Sequence, residues 1–279
     1  MAHPIEFMQT ALSYTAMGLD PVIFEIGPFA LRWYSLAYIG AILGGWWYLL
    51  RLLDSPGAPA ARRHVDSFIT WITLGIILGG RMGYVVFYEP AKFLANPIDI
   101  LKIWEGGMSF HGGLIGVVIA EWGFCRVHNL NLLRFADYVA LCIPFGEFSV
   151  RVANFINGEL WGRVTTLPWG VIFPTGGPLP RHPSQLYEAL LEGPLLFAIL
   201  WYLFHKTDAR YRPGLLAGTF LLGYGLVRFA VEFVREPDAQ LVEFAANTGL
   251  HMGQWLSLPL VVVGGYLIAT CGNRPTARP

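Results

Sequence analysis

The chain has 279 residues, with 19 Lys+Arg against 19 Asp+Glu for a formal net charge of zero, and it is 54% hydrophobic but only 14% charged. A soluble domain carries roughly 25% charged residues, so the composition excludes a disordered chain and argues against an ordinary soluble protein, which would tend to precipitate at zero net charge. It also offers no basic excess for nucleic acid.

Such a chain is solvated largely by lipid. The expected fold is an all-α polytopic membrane protein, forming a single integral membrane domain over 1–279. The first 28 residues do not read as a signal peptide, because Glu6, Asp20 and Glu25 interrupt them and no apolar run follows a basic start. A span needs about 20 apolar residues. Seven stretches qualify, near 30–52, 66–88, 110–128, 136–150, 187–205, 214–234 and 252–271. The fourth is the weakest, being short and holding Pro144 and Glu147.

Lys and Arg in the connecting segments set the orientation. With the N-terminus outside, the cytoplasmic segments hold ten of them, including Arg51, Arg62, Arg63, Arg126, Arg134, Lys206 and Arg278, against seven on the other side. The C-terminus is then cytoplasmic, and a polar insert over 151–186, between the fourth and fifth spans, is external. Gly40/Gly44, Gly75/Gly79, Gly79/Gly83, Gly112/Gly116 and Gly214/Gly218 have the spacing that lets helices pack closely in lipid. Cys125, Cys142 and Cys271 sit in or beside apolar stretches and read as small buried hydrophobes. No Cys/His pairing suggests a metal.

A charge inside the bilayer costs about 2.5–3.5 kcal/mol on insertion scales, so charges that break apolar runs are informative. Along the chain the first is Arg32-Trp33-Tyr34-Ser35, which opens the first span with a phenol. Next, Gly107-Met108-Ser109-Phe110-His111-Gly112-Gly113 runs into the third span. Ser109 is a candidate N-cap; His111 falls in the first turn, where the helix dipole favours a neutral ring able to accept a proton. Gly112 lets backbone or ligand come near. A satisfied structural histidine is the competing reading.

The stretch Arg151-Val152-Ala153-Asn154-Phe155-Ile156-Asn157-Gly158-Glu159 puts an arginine, two amides and a carboxylate within nine residues. It reads either as a headgroup site or as a hydrophilic exit loop, with a turn at Asn157-Gly158. Arg181-His182-Pro183-Ser184 opens the fifth span, with Glu188 near its first turn. In the sixth span Tyr224, Arg228, Glu232 and Arg235 recur at spacings of four, four and three, which puts them on one helical face. Two arginines against one carboxylate leave a positive excess able to receive a phosphate; a structural ion pair is the alternative. Under the orientation above, all these clusters lie at the outer ends of spans, which points to one polar site.

Taken together, Gly107-Met-Ser-Phe-His111-Gly-Gly-Leu-Ile-Gly116, Arg151-x-Ala-Asn-Phe-Ile-Asn-Gly-Glu159-Leu-Trp-Gly162, Arg181-His-Pro-Ser-Gln-Leu-Tyr-Glu188 and Arg228-x3-Glu232-x2-Arg235-x-Pro-Asp238 resemble the prolipoprotein diacylglyceryl transferase family. Val150 stands where the family signature carries glycine. The resemblance implies a bacterial inner-membrane enzyme with its site toward the outer side. Such an enzyme moves the diacylglyceryl group of phosphatidylglycerol to the lipobox cysteine of a prolipoprotein signal peptide, forming a thioether and releasing glycerol phosphate. Neither cofactor nor metal is implied.

That chemistry suggests roles. A thiol with pKa about 8.5 must lose its proton to attack, and His111 is the candidate base. Arg151 and Arg228 are candidates for the phosphate of the leaving group. Asn154, Asn157 and Glu159 would meet glycerol hydroxyls or hold Arg151, Glu232 would orient an arginine, Arg235 would hold the site together or meet the headgroup, Tyr34 and Tyr224 would hydrogen-bond the phosphate or the base, and Gly112 would adjoin the phosphatidylglycerol. A membrane carrier for an anionic solute, using the same arginines, is the competing class.

Overall fold

The computed structural model describes residues 12–27, 29–236 and 248–276. Pro237 and Asp238 of the last motif, and Arg278 of the cytoplasmic count, lie outside the described residues. The chain forms two compact units, one built from residues up to Tyr48 together with Asp137 onward, the other from Leu49–Ala136.

The second unit is dominated by α2 (His64–Phe87) and α3 (Phe110–Val127). They pack through glycine, because only a missing side chain lets the backbones touch. A Cβ on Gly75 would lie 2.6 Å from the Gly116 carbonyl oxygen, and one on Gly83 would lie 2.7 Å from the Gly112 Cα. The N-terminus of α3 is capped as its sequence predicts: the Ser109 hydroxyl accepts from Gly112 N–H at 3.2 Å. The Ser109 N–H in turn donates to the Gly80 carbonyl at 2.8 Å. Arg81, only 5% exposed, ties down the connection leading there. Its guanidinium donates to the carbonyls of Asp99, Ile100, Lys102, Gly106 and Gly107. A charge inside an apolar helix is thus satisfied entirely by backbone.

The first unit begins with a short strand β1 (Leu12–Ser13), then an antiparallel hairpin of β2 (Val22–Ile26) and β3 (Phe29–Arg32) that feeds α1 (Trp33–Leu53). The fourth stretch is not one helix. α4 (Leu132–Ala140) stops and α5 (Ile143–Ile156) restarts at an angle of 40°. Pro144 in the first turn of α5 accounts for the break, since it has no N–H to give to the preceding turn. After α5 comes the insert, which pairs strand β4 (Val171–Ile172) with β1 in parallel and buries Tyr14, Val171 and Phe173 against Phe155 and Trp161. Tyr14 donates from its hydroxyl to the Ile156 carbonyl; burial, then Asp20, pushes its phenol above the usual range. The helical ends of the expected insert, 151–156 and 184–186, belong to the flanking helices.

The unit closes with α6 (Ser184–Lys206), α7 (Leu215–Val231) and α8 (Met252–Thr270). α7 and α8 pack through Gly218, Gly225 and Gly264. Gly214, expected as the partner of Gly218, instead sits in the left-handed region at φ +85 as the residue before α7. Asp137 accepts from Gly214 N–H at 2.7 Å and Ala217 N–H at 2.8 Å, placing a negative charge at the positive end of the helix.

Among the described residues five helices are long and apolar enough to cross a membrane, six if the bent α4–α5 pair is counted as one span. α7 is equally apolar but has 17 residues, about 26 Å at 1.5 Å per residue. It stops where Glu232 and Arg235 follow.

Candidate active site

The polar groups of the first unit are brought together by three helices. α5 supplies Arg151 and, one turn further, Asn154; α6 supplies Glu188; α7 supplies Arg228, with Glu232 at its C-terminal end. Arg235 is not on the helical face that its spacing predicted. The chain turns after Val231, and Arg235 forms an antiparallel bridge with Gly162 while Arg163 N–H donates to the Val234 carbonyl at 2.8 Å. A Cβ on Gly162 would lie 2.7 Å from the His182 Cβ, so a glycine is what lets the insert come this close.

The guanidinium groups of Arg151, Arg228 and Arg235 all meet one carboxylate. Arg151 Nη1 lies 3.1 Å from Glu188 Oε2, Arg228 Nη1 2.9 Å from Oε1 and Arg235 Nη1 3.3 Å from Oε1. The Glu188 side chain is 1% exposed. Arg228 also pairs with Glu232 at 2.8 Å, and Gly253 of α8 gives that pair room, because a Cβ there would fall 2.5 Å from Glu232 Oε2. Arg151 further faces Glu192 at 3.4 Å and Glu147 at 4.0 Å.

The positive excess expected at this cluster is therefore not found among the described residues. Three guanidinium groups face four carboxylates, because Glu147, Glu188 and Glu192 arrive from α5 and α6 while the sequence pattern of α7 displayed only Glu232. Glu188 and Glu192 did leave a signal, as two acids four residues apart in an apolar run.

At the end of α5 the side-chain amides of Asn154 and Asn157 donate to Glu159 Oε1 at 2.8 and 3.0 Å, while Ser184 donates to the Leu160 carbonyl at 3.0 Å. The predicted turn is present, with Gly158 at φ +66, and Leu160 is held at φ +59, an uncommon conformation for a leucine. The amide oxygens of Asn154 and Asn157 are buried and accept from none of the described residues. His182, beside this segment, shares a 3.2 Å contact with the Tyr187 hydroxyl, and burial pushes its ring below the usual imidazole range. Tyr34 lies on α1 with its hydroxyl 3.2 Å from that of Tyr38, and Tyr224 stacks on Phe220.

His111 belongs to the second unit. It is exposed in the first turn of α3, its ring edge-on to Phe110 at 5.5 Å. Gly112 is taken up by the helix contact, where a Cβ would fall 2.3 Å from the Gly79 carbonyl oxygen and 2.8 Å from the Gly83 Cα. Among the described residues no group of three His, Cys, Asp or Glu could hold a metal ion.

The family model for prolipoprotein diacylglyceryl transferase matches residues 21–270. The chain belongs to the prolipoprotein diacylglyceryl transferase family. Among curated family members, a phosphatidylglycerol–prolipoprotein diacylglyceryl transferase of Zymomonas mobilis is 52% identical over 279 residues, covering 97% of each chain. One from Rhodospirillum rubrum is 55% identical over 260 residues, covering 92% of this chain and 93% of its own. Another, from Nitratidesulfovibrio vulgaris, is 51% identical over 259 residues, covering 92% and 97%. The family match thus runs from the hairpin to α8.

Proposed function

We propose that this chain transfers the diacylglyceryl group of phosphatidylglycerol to the lipobox cysteine thiol of prolipoproteins, forming a thioether and releasing glycerol phosphate. The observation that carries this reading is family membership at about half identity over nearly the whole chain. The arginine cluster supports it. A phosphate leaving group gathers negative charge as its C–O bond breaks, and guanidinium groups fixed beforehand in a dry site stabilise that charge without reorganising. Arg151 and Arg228, each already ion-paired to Glu188, hold the phosphate; Arg235 and Glu232 keep them in place. Asn154 and Asn157 offer to the glycerol hydroxyls amide oxygens that have no partner among the described residues, Glu159 fixes both amides, and Tyr34 and Tyr224 border the lipid. His111 takes the thiol proton. The protein lies in the bacterial inner membrane with seven spans, N-terminus outside, C-terminus cytoplasmic and the site toward the outer face. The relatives above carry transferase names, and nothing favours a carrier.

Purified protein, phosphatidylglycerol in mixed micelles and a lipobox peptide test the reading. Arg151→Ala and Arg228→Ala are expected to lose at least about 10²-fold in transfer, the cost of removing one preorganised donor, while still inserting into the membrane. Full activity in either variant removes that arginine from the phosphate. His111→Asn should lose rate near neutral pH and regain part of it as rising pH ionises the thiol directly; an unchanged rate at neutrality excludes His111 as the base.

A further inference from the structure

The charge count of the cluster leaves one acid unaccounted for. Ionised throughout, three guanidinium groups against Glu147, Glu188, Glu192 and Glu232 would bury a net negative charge where lipid replaces water, which is costly. Glu188 is held by three arginines and Glu232 by a 2.8 Å ion pair, so both have guanidinium partners close at hand. Glu147 is 27% exposed and 4.0 Å from its arginine. Glu192 is fully buried, has one oxygen 3.4 Å from Arg151 Nε, and its Oε1 finds no partner among the described residues.

Local backbone geometry directs that carboxyl to the arginines. Glu192 lies in a π-helical turn, Leu191–Leu195, that also contains Pro194. Pro194 has no N–H to give to the preceding turn, and single wide turns of this kind re-aim side chains within a helix. Gly193 lets the turn sit directly on α5, where a Cβ would fall 2.7 Å from the Phe148 Cβ. The charged and titratable groups acting on Glu192 come from every neighbouring element: Glu147 and Arg151 from α5, Glu188 from its own helix, Arg228 and Tyr224 from α7.

We infer that Glu192 holds a proton in the resting site and, as a catalytic residue, donates it to the departing glycerol phosphate. This rests on the transferase reading above. The thiol sulfur forms the new S–C bond while the C–O bond to phosphate breaks. The leaving oxygen takes the bonding electron pair, and Glu192 supplies its proton. The base gives the thiol's proton up to water, and Glu192 takes one up from water before the next cycle. Thiol and phosphodiester monoanion become thioether and phosphate monoester monoanion, and no proton is gained or lost overall.

Infrared spectra of the purified protein in detergent, without lipid substrate, test the proton directly. A protonated carboxyl band that shifts in D2O is expected near neutral pH, lost in Glu192→Gln and kept in Glu147→Gln. No such band in the unmodified protein, or a band lost only in Glu147→Gln, overturns the inference whether or not transfer is observed. In the transfer assay, Glu192→Gln should leave KM for phosphatidylglycerol within about threefold, because the neutral amide replaces a neutral acid. Its kcat should fall about 10²-fold or more, the usual worth of a placed acid, and the alkaline limb of the pH profile should disappear. Glu192→Asp, which keeps the acid, should recover part of kcat. If Glu192→Gln raises KM with kcat unchanged, or Glu192→Asp is no better than Glu192→Gln, Glu192 is not the acid. Failure of the unmodified protein to transfer at all would sink the transferase reading while leaving the infrared result standing.

Discussion

A carboxylate that faces three guanidinium groups cannot become its amide without changing the charge of the whole cluster. Glu188→Gln keeps the shape of the side chain but leaves Arg151, Arg228 and Arg235 mutually repelling around a neutral group. Breaking a buried ion pair from one side costs about 3–5 kcal/mol, so thermal unfolding in detergent should fall by several degrees and transfer should drop at least about 10²-fold. An unchanged melting temperature would mean that these contacts contribute nothing in the membrane. Arg151, Arg228 and Arg235 were legible because a charge in an apolar run needs a reason. Their common partner was much harder to read, since which carboxylate meets which arginine depends on how α5, α6 and α7 face one another, and no spacing within one segment carries that. Arg235 shows the same limit from the other side: its helical period was right for α7, but α7 ends at Val231 and Arg235 bridges to Gly162 of the insert.

At the level of elements, glycine spacing read from the sequence divides into cases that the structure uses differently. Gly75, Gly79, Gly112 and Gly116 form the contact of α2 and α3, Gly218 joins α7 to α8, while a side chain added at Gly40 or Gly44 would meet nothing within 4 Å among the described residues. Spacing reveals a smooth stripe on a helix; it does not say whether another helix lies against it. Gly116→Leu should therefore push α2 and α3 apart and lower stability by about 1–3 kcal/mol, the range for overpacking, whereas Gly40→Leu should be nearly neutral in the same thermal unfolding measurement. Equal losses in both would mean that Gly40 also faces a helix. The break between α4 and α5 was legible as a weak fourth span because Pro144 disrupts any continuous helix. The π turn of α6 was not, since Pro194 alone does not distinguish a kink from a wide turn.

For the whole molecule, the proposed orientation rests on where arginine is placed, and it is open to direct measurement. The connection between α1 and α2 holds Arg62 and Arg63, with Arg51 in the last turn of α1. Asp54, which pairs with Arg62 at 2.6 Å, counts for little, because acidic residues weigh weakly in setting topology. The insert after α5 is basic as well, but its arginines are engaged: Arg163 with His251 and the Arg235 carbonyl, Arg181 with Glu236 and the Gly176 carbonyl. Arginines fixed in a folded insert reflect its structure as much as its side of the membrane, so the short α1–α2 connection is the better topological marker. In a protein whose three cysteines have been replaced by serine, Thr166→Cys in the insert and Ala61→Cys in that connection each place one thiol at an exposed position. With the N-terminus outside, a membrane-impermeant maleimide added to spheroplasts should label Thr166→Cys at once and Ala61→Cys only after permeabilisation. The reverse pattern would turn the molecule over, and with it the arginine cluster, which would then face the cytoplasm instead of the leaflet where a secreted thiol arrives.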